Sequence, residues 1–127
     1  VLLALPYACG DVDSAVLFDD PLLVAFPGDF PGDLPAVVSA DTLDPAQLLM
    51  LEDGHCLKDH ALAACNRPEL RSGTRMMGTS LHTLVQMVDN GLGVTMLPQM
   101  ALDAGILDQT DIDTRPLASD HDWRTIA

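Results

Sequence analysis

Short apolar runs alternate along the chain with stretches whose apolar residues recur every three or four positions, and this alternation predicts an α/β fold rather than a bundle or a sandwich. Val1-Leu2-Leu3-Ala4-Leu5 reads as an opening strand, followed by a loop from Pro6 to Ser14 with a turn signal at Gly10-Asp11. Ala15-Val16-Leu17-Phe18 and Pro21-Leu22-Leu23-Val24-Ala25-Phe26 read as one extended stretch interrupted at Asp19-Asp20. Prolines and glycines between Pro27 and Pro35 mark a compact loop, after which Ser39 or Asp41 is placed to cap a helical turn ending near Asp44. Gln47-Leu48-Leu49-Met50-Leu51 is the clearest buried strand, and Glu52-Asp53-Gly54-His55 the polar loop that leaves it. Leu57, Ala61, Leu62 and Cys65 then fall at helical spacing, with Asn66 and Pro68 as the stop.

The second half repeats the pattern. Thr74 to Met77 predicts a short strand, and Thr79 or Ser80 caps a helix carrying Leu81, Leu84, Val85 and Val88 on one face. Asn90-Gly91 ends that helix, since both residues tolerate left-handed backbone. Gly93 to Leu97 predicts a strand stopped by Pro98, Gln99 to Ala104 a short helix, and Arg115-Pro116-Leu117 and Trp123 to Ile126 extended segments. The last of these reads as the start of a strand that stops before any turn. The first and last strands are therefore expected to lack partners, as in an internal piece of a longer chain.

Composition narrows the function. Within 127 residues, 48% hydrophobic content supplies a core, and 19 acidic against 6 basic residues leave a net charge of −13. That charge opposes contact with phosphate backbones or an anionic membrane surface. Aromatic residues at 4% leave little from which to build a stacking platform. Three cysteines do not describe a disulfide-stapled secreted module, so a reducing, cytoplasmic setting and reactive or metal-binding thiols are the expectation.

Candidate chemistry concentrates in Glu52-Asp53-Gly54-His55-Cys56-Leu57-Lys58-Asp59-His60, at a strand-to-helix junction of the kind where α/β folds place sites. A thiol beside the first turn of a helix meets unpaired N–H groups and the positive end of the helix dipole, which favour thiolate, the form that attacks peroxide or disulfide. The acids at 52, 53 and 59 act in the opposite sense, so a reactive Cys56 needs a basic partner from elsewhere in the fold. Cys65 follows nine residues later. If the segment between them is helical, the two Cα atoms stand about 13 Å apart, whereas a disulfide requires roughly 4.4–6.8 Å. Bridging them would require the helix to melt or be re-routed, which is the behaviour of a switch. The plainer readings are a loop thiol at Cys56 and a buried inert thiol at Cys65. Cys9 lacks a helix start or a base beside it and reads as incidental. His55, Cys56, Asp59, His60 and Cys65 include zinc-ligand types without metal-finger spacing, so no metal and no cofactor is expected.

The stretch Leu48 to Asp59 with Cys65, followed by Thr79-Ser80-Leu81-His82-Thr83-Leu84 and Gly91-Leu92-Gly93-Val94-Thr95-Met96-Leu97-Pro98, resembles the peroxide-sensing OxyR group of LysR-type transcription regulators. Leu17 to Leu23 and Trp123 to Ile126 are similar to the group's hinge strands. The resemblance implies a periplasmic-binding-protein-like α/β fold of the LysR effector-domain type. Residues 1–17 would be the end of a first regulatory subdomain and hinge, 18–122 the second subdomain with the redox site, and 123–127 the start of the returning hinge strand. It implies that Cys56 is oxidised by hydrogen peroxide to a sulfenic acid and that Cys65 resolves it as a disulfide. His55 and Asp59 would line or support the site, and Arg124 would be the base-side partner that favours the thiolate. The partners implied are hydrogen peroxide, further copies of the chain, and DNA through a winged helix-turn-helix absent here, with RNA polymerase as a further contact. Two readings compete with this one: a metabolite-binding LysR effector domain with passive cysteines, and a thiol peroxidase. The missing Cys-x2-Cys motif counts against the peroxidase, so a stoichiometric sensor rather than a turnover enzyme is expected.

Overall fold

The computed structural model describes residues 4–5, 13–39, 42–44, 46–51, 77–78, 80–118 and 123–127. Eight strands and two helices run through them: β1 (Ala4–Leu5), β2 (Phe18–Phe26), β3 (Val38–Ser39), β4 (Met50–Leu51), β5 (Met77–Gly78), α1 (Leu81–Asp89), β6 (Thr95–Pro98), α2 (Gln99–Asp103), β7 (Asp113–Ala118) and β8 (Trp123–Ile126). This is the mixed α/β architecture that the alternation predicts.

β2 is the spine of the larger sheet. Its second half pairs antiparallel with β6 on one edge, from Leu22 opposite Pro98 to Ala25 opposite Thr95, and with β7 on the other, from Leu23 opposite Pro116 to Phe26 opposite Asp113. β3 extends the sheet in parallel beyond β7. The first half of β2, Phe18 to Pro21, pairs instead with β8, and β8 pairs with β1. One strand thus joins a narrow three-stranded ribbon to the main sheet. β4 and β5 form a parallel pair, and a bridge between Leu48 and Val94 sets the β4 run parallel to β6.

Two expectations are corrected here. Asp19-Asp20 does not interrupt the strand, because each carboxylate finds a partner remote in sequence. Exposed Asp19 accepts from the Thr125 hydroxyl of β8 at 3.1 Å, and buried Asp20 accepts from the Met100 backbone N–H at 2.9 Å. Nor are the terminal strands unpaired, since Ala4 stands opposite Ile126 and Leu5 opposite Thr125. Smaller differences concern boundaries. Strand geometry begins at Phe18 rather than Ala15, and the 47–51 run forms ladder pairs only at Met50–Leu51 although Leu48, Leu49 and Met50 are all buried.

Packing follows strand alternation. Leu22, Val24 and Phe26 of β2 join Val94 and Met96 in the larger apolar cluster with Leu48, Leu49 and Met50. Ala25 and Leu97 join a smaller one. α1 closes both, sending Leu84 and Val88 into the first and Val85 into the second.

The caps of α1 are local and legible. The Ser80 hydroxyl accepts from the Thr83 N–H at 3.2 Å. At the other end, Gly91 at φ +76° donates to the Val88 carbonyl and Leu92 donates to Met87, the paired bonds of a Schellman stop. Ser80→Ala should therefore destabilise the fold by about 1 kcal/mol. Urea denaturation followed by circular dichroism measures this, with Thr83→Ala as the comparison that leaves the cap acceptor in place.

Candidate functional site

β4, β5 and β6 run the same way, so their last residues, Leu51, Gly78 and Pro98, define one carboxyl edge. Open α/β sheets bind ligands outside that edge. Because Pro98 stands opposite Leu22, the edge faces the half of β2 that carries the ribbon. α1 starts at this edge too, at Leu81, three residues after β5 ends at Gly78, with Ser80 as its cap.

Local packing holds the edge firm. The buried Thr95 hydroxyl donates to the Leu49 carbonyl at 2.7 Å, tying β6 to the run before β4. A Cβ at Gly78 would lie 2.9 Å from Leu84 Cδ2, so the glycine lets α1 seat closely on β5. At Pro98 the chain passes from strand to helix without a connecting loop, and Pro98 itself, at φ −74° and ψ 148°, occupies the cap position of α2. No Pro98 side-chain bond caps that helix. The carboxylate of Asp20 does so from β2, 80 residues away in sequence.

Of the residues singled out from the sequence, His55, Cys56, Asp59 and Cys65 belong to the connection between β4 and β5 and lie outside the described residues, as do Cys9 and His60. Glu52, the first residue of the candidate stretch, follows directly on Leu51 at the carboxyl edge. Arg124 is described as a backbone position in β8, in register with Asp20 of β2. Asp20 is the residue that reading the sequence missed. Its signal was a carboxylate inside an apolar run directly before Pro21, which looked like a strand break and is a buried acceptor instead.

A separate cavity of about 160 Å³ lies at the opposite, amino end of the parallel strands, between Phe26, Phe30, Leu34, Val38, Leu43 and Val94. Phe26 and Phe30 meet there edge to face at 5.0 Å. Among the described residues no cluster of histidine, cysteine or acidic side chains could hold a metal ion, and no helix is long and apolar enough to cross a membrane.

A mixed sheet crossed by a narrow hinge-like ribbon, with a site edge facing that ribbon, defines the periplasmic-binding-protein-like effector domain of LysR type. Residues 1–127 match the LysR substrate binding domain, and the chain belongs to that family. Among solved structures it superposes on the reduced regulatory domain of OxyR2 from Vibrio vulnificus with a TM-score of 0.86 and 36% identity, covering 98% of this chain and 59% of that one. The reduced OxyR regulatory domain from Pseudomonas aeruginosa gives 0.80 and 34%, with coverage of 98% and 59%. Among curated relatives, the DNA-binding transcriptional dual regulator OxyR of Escherichia coli K12 is 43% identical over 86 residues, 68% of this chain and 28% of that protein. The HTH-type transcriptional regulator EstR of Acinetobacter baylyi is 47% identical over 73 residues, 58% of this chain and 24% of that protein. The chain thus spans about a quarter of the length of these curated relatives.

Proposed function

We propose that this chain is the redox-sensing part of a peroxide-responsive LysR-type transcription regulator. The observation that carries the reading is the Glu52-Asp53-Gly54-His55-Cys56 stretch leading out of β4 at the carboxyl edge, in a chain whose relatives include regulators named for hydrogen peroxide and OxyR. The Cys56 thiolate attacks one oxygen of hydrogen peroxide, the O–O bond breaks, and hydroxide leaves, giving Cys56 sulfenic acid. The Cys65 thiol then attacks that sulfur, forming the disulfide and releasing water. Two electrons pass from the thiol pair to each peroxide. His55 and Asp59 support the site, and Arg124 favours the thiolate by its permanent positive charge.

Residues 1–17, 18–122 and 123–127 are read as the end of the first regulatory subdomain with hinge, the second subdomain, and the returning hinge strand. The intact regulator is a cytoplasmic homo-oligomer that meets DNA through a winged helix-turn-helix elsewhere in the protein, with RNA polymerase as a further partner. The −13 charge of this chain suits a module that leaves DNA to another domain. The second reading is a metabolite-binding effector domain of the same LysR type in which the cysteines are passive, since the family match holds for either.

Titration of the full-length protein with hydrogen peroxide, followed by mass-spectrometric mapping of thiols, separates the two. The expected result is one Cys56–Cys65 disulfide per peroxide consumed, absent in Cys56→Ser, with no turnover beyond the thiols supplied. Peroxide-dependent promoter binding that survives Cys56→Ser would establish the passive-cysteine reading instead.

A further inference from the structure

The cavity of about 160 Å³ at the amino end of the parallel strands has no part in the chemistry above. Protein interiors keep few spaces larger than a water molecule, so its size departs from ordinary packing. Its walls include core residues: Phe26 ends the spine strand β2, Val38 belongs to β3 and Val94 leads into β6, and all three are buried. Phe30 and Leu34, both half-buried, close it from the loop after β2, and the edge-to-face contact of Phe30 with Phe26 fixes one side. An apolar cavity of roughly 150 Å³ accepts a benzene ring, so the space suits one ring or a short branched chain.

The charged part of the lining has one sign. It contains the carboxylates of Asp33 and Asp44, both exposed, and no lysine or arginine. The Thr42 hydroxyl donates its hydrogen to the Ser39 carbonyl at 2.7 Å, so toward the cavity it is an acceptor. Asp44 Oδ1 accepts the Ala46 N–H at 2.9 Å, a bond that uses one carboxylate oxygen and not the other. The Gln47 amide, the remaining polar side chain of the lining, can donate or accept. Acceptors and negative charge beside an apolar chamber match a ligand with an apolar body and an ammonium head, whose N–H groups are all donors, and they oppose a carboxylate.

We infer that this cavity is a binding site for a small organic cation, a primary amine carried on one ring or a short branched chain, with its apolar body among Phe26, Phe30 and Val94 and its ammonium group at Asp33 and Asp44. The site uses no cysteine, so amine binding and peroxide reactivity stand or fall separately.

Benzylamine is the probe, with benzyl alcohol as its neutral counterpart and benzoate as its anionic one, each titrated into the full-length protein and followed by saturation-transfer NMR on the ligand. Benzylamine should bind about fivefold more tightly than benzyl alcohol, the scale of two exposed ion pairs, and the preference should shrink in high salt. Benzoate should bind at least about tenfold more weakly than benzylamine. Asp33→Asn combined with Asp44→Asn removes both charges and keeps an oxygen to accept the Ala46 N–H. In that variant benzylamine and benzyl alcohol should bind alike, within about twofold. Leu34→Trp, on the loop rather than in a strand, fills the chamber and should abolish binding of both probes while the circular-dichroism spectrum stays unchanged. No binding of benzylamine, benzoate binding as tightly as benzylamine, a preference for the amine that survives the double asparagine variant, or undiminished binding in a folded Leu34→Trp would each overturn the inference.

Discussion

Gly93→Ala should lower stability by roughly 3 kcal/mol, the upper part of the range for forcing atoms into a packed interior. A Cβ at Gly93 would press into the carbonyl oxygen of Gln47 and lie 3.0 Å from Leu49 Cγ. The carbonyl cannot move aside, because it accepts the Val94 N–H at 2.8 Å while Leu49 N–H donates to the Val94 carbonyl at 2.7 Å. Those two bonds make the bridge that joins the β4 run to β6, so the added methyl either breaks the bridge or displaces both segments. Urea denaturation measures the loss. If the site chemistry depends on the carboxyl edge, peroxide reactivity of Cys56 should fall in the same variant even under conditions where it remains folded. Full stability in Gly93→Ala would mean that the two segments are not held at this distance.

The second large effect is expected at Leu97, which is completely buried in the middle of β6. It packs with Ala25 and Val85, and Leu81, Leu102, Ile106, Leu107 and Ile112 close around the same cluster. One side chain therefore sits between the spine strand, α1 and the α2 turn. Leu97→Ala should destabilise the domain by about 2–5 kcal/mol, a range set by how far the surroundings collapse into the void. Because helices from two sides rest on it, collapse is restricted and the upper half of that range is expected. Leu97→Met, nearly equal in volume, should lose less than about 1.5 kcal/mol. Thermal and urea unfolding of the pair give the answer, and equal losses for the two substitutions would show that volume is not what Leu97 contributes.

The features that were legible in the sequence are those whose causes are local. Ser80 caps α1 because its own hydroxyl reaches the N–H three residues on, and Gly91 stops it because the turn requires positive φ. The apolar runs at 22–26 and 94–97 alternate or fill in as strand burial demands, and both were read as strands. The reading went wrong at Asp19-Asp20, where two adjacent acids resemble a turn until the Thr125 hydroxyl and the Met100 N–H are brought to them by the fold. The pairing of the first and last strands was missed for the same reason, since register between residues more than a hundred positions apart leaves no local trace. At the candidate site, the spacing of Cys56 and Cys65 is a property of the sequence itself, and both residues lie outside the described ones. A basic partner for Cys56 could only be required, not located, and Arg124 entered through resemblance to known regulators.

Pro98 is at once the last residue of β6 and the cap of α2. The ring fixes its φ, and no loop residue separates strand from helix. A displacement of α2 must therefore be felt by β6, the strand that lies between the spine of the large sheet and the run leading into the parallel pair. In mechanical terms, helix and strand form a stiff lever pivoting on a single ring. A push at the carboxyl edge would reach the centre of the domain through that one junction.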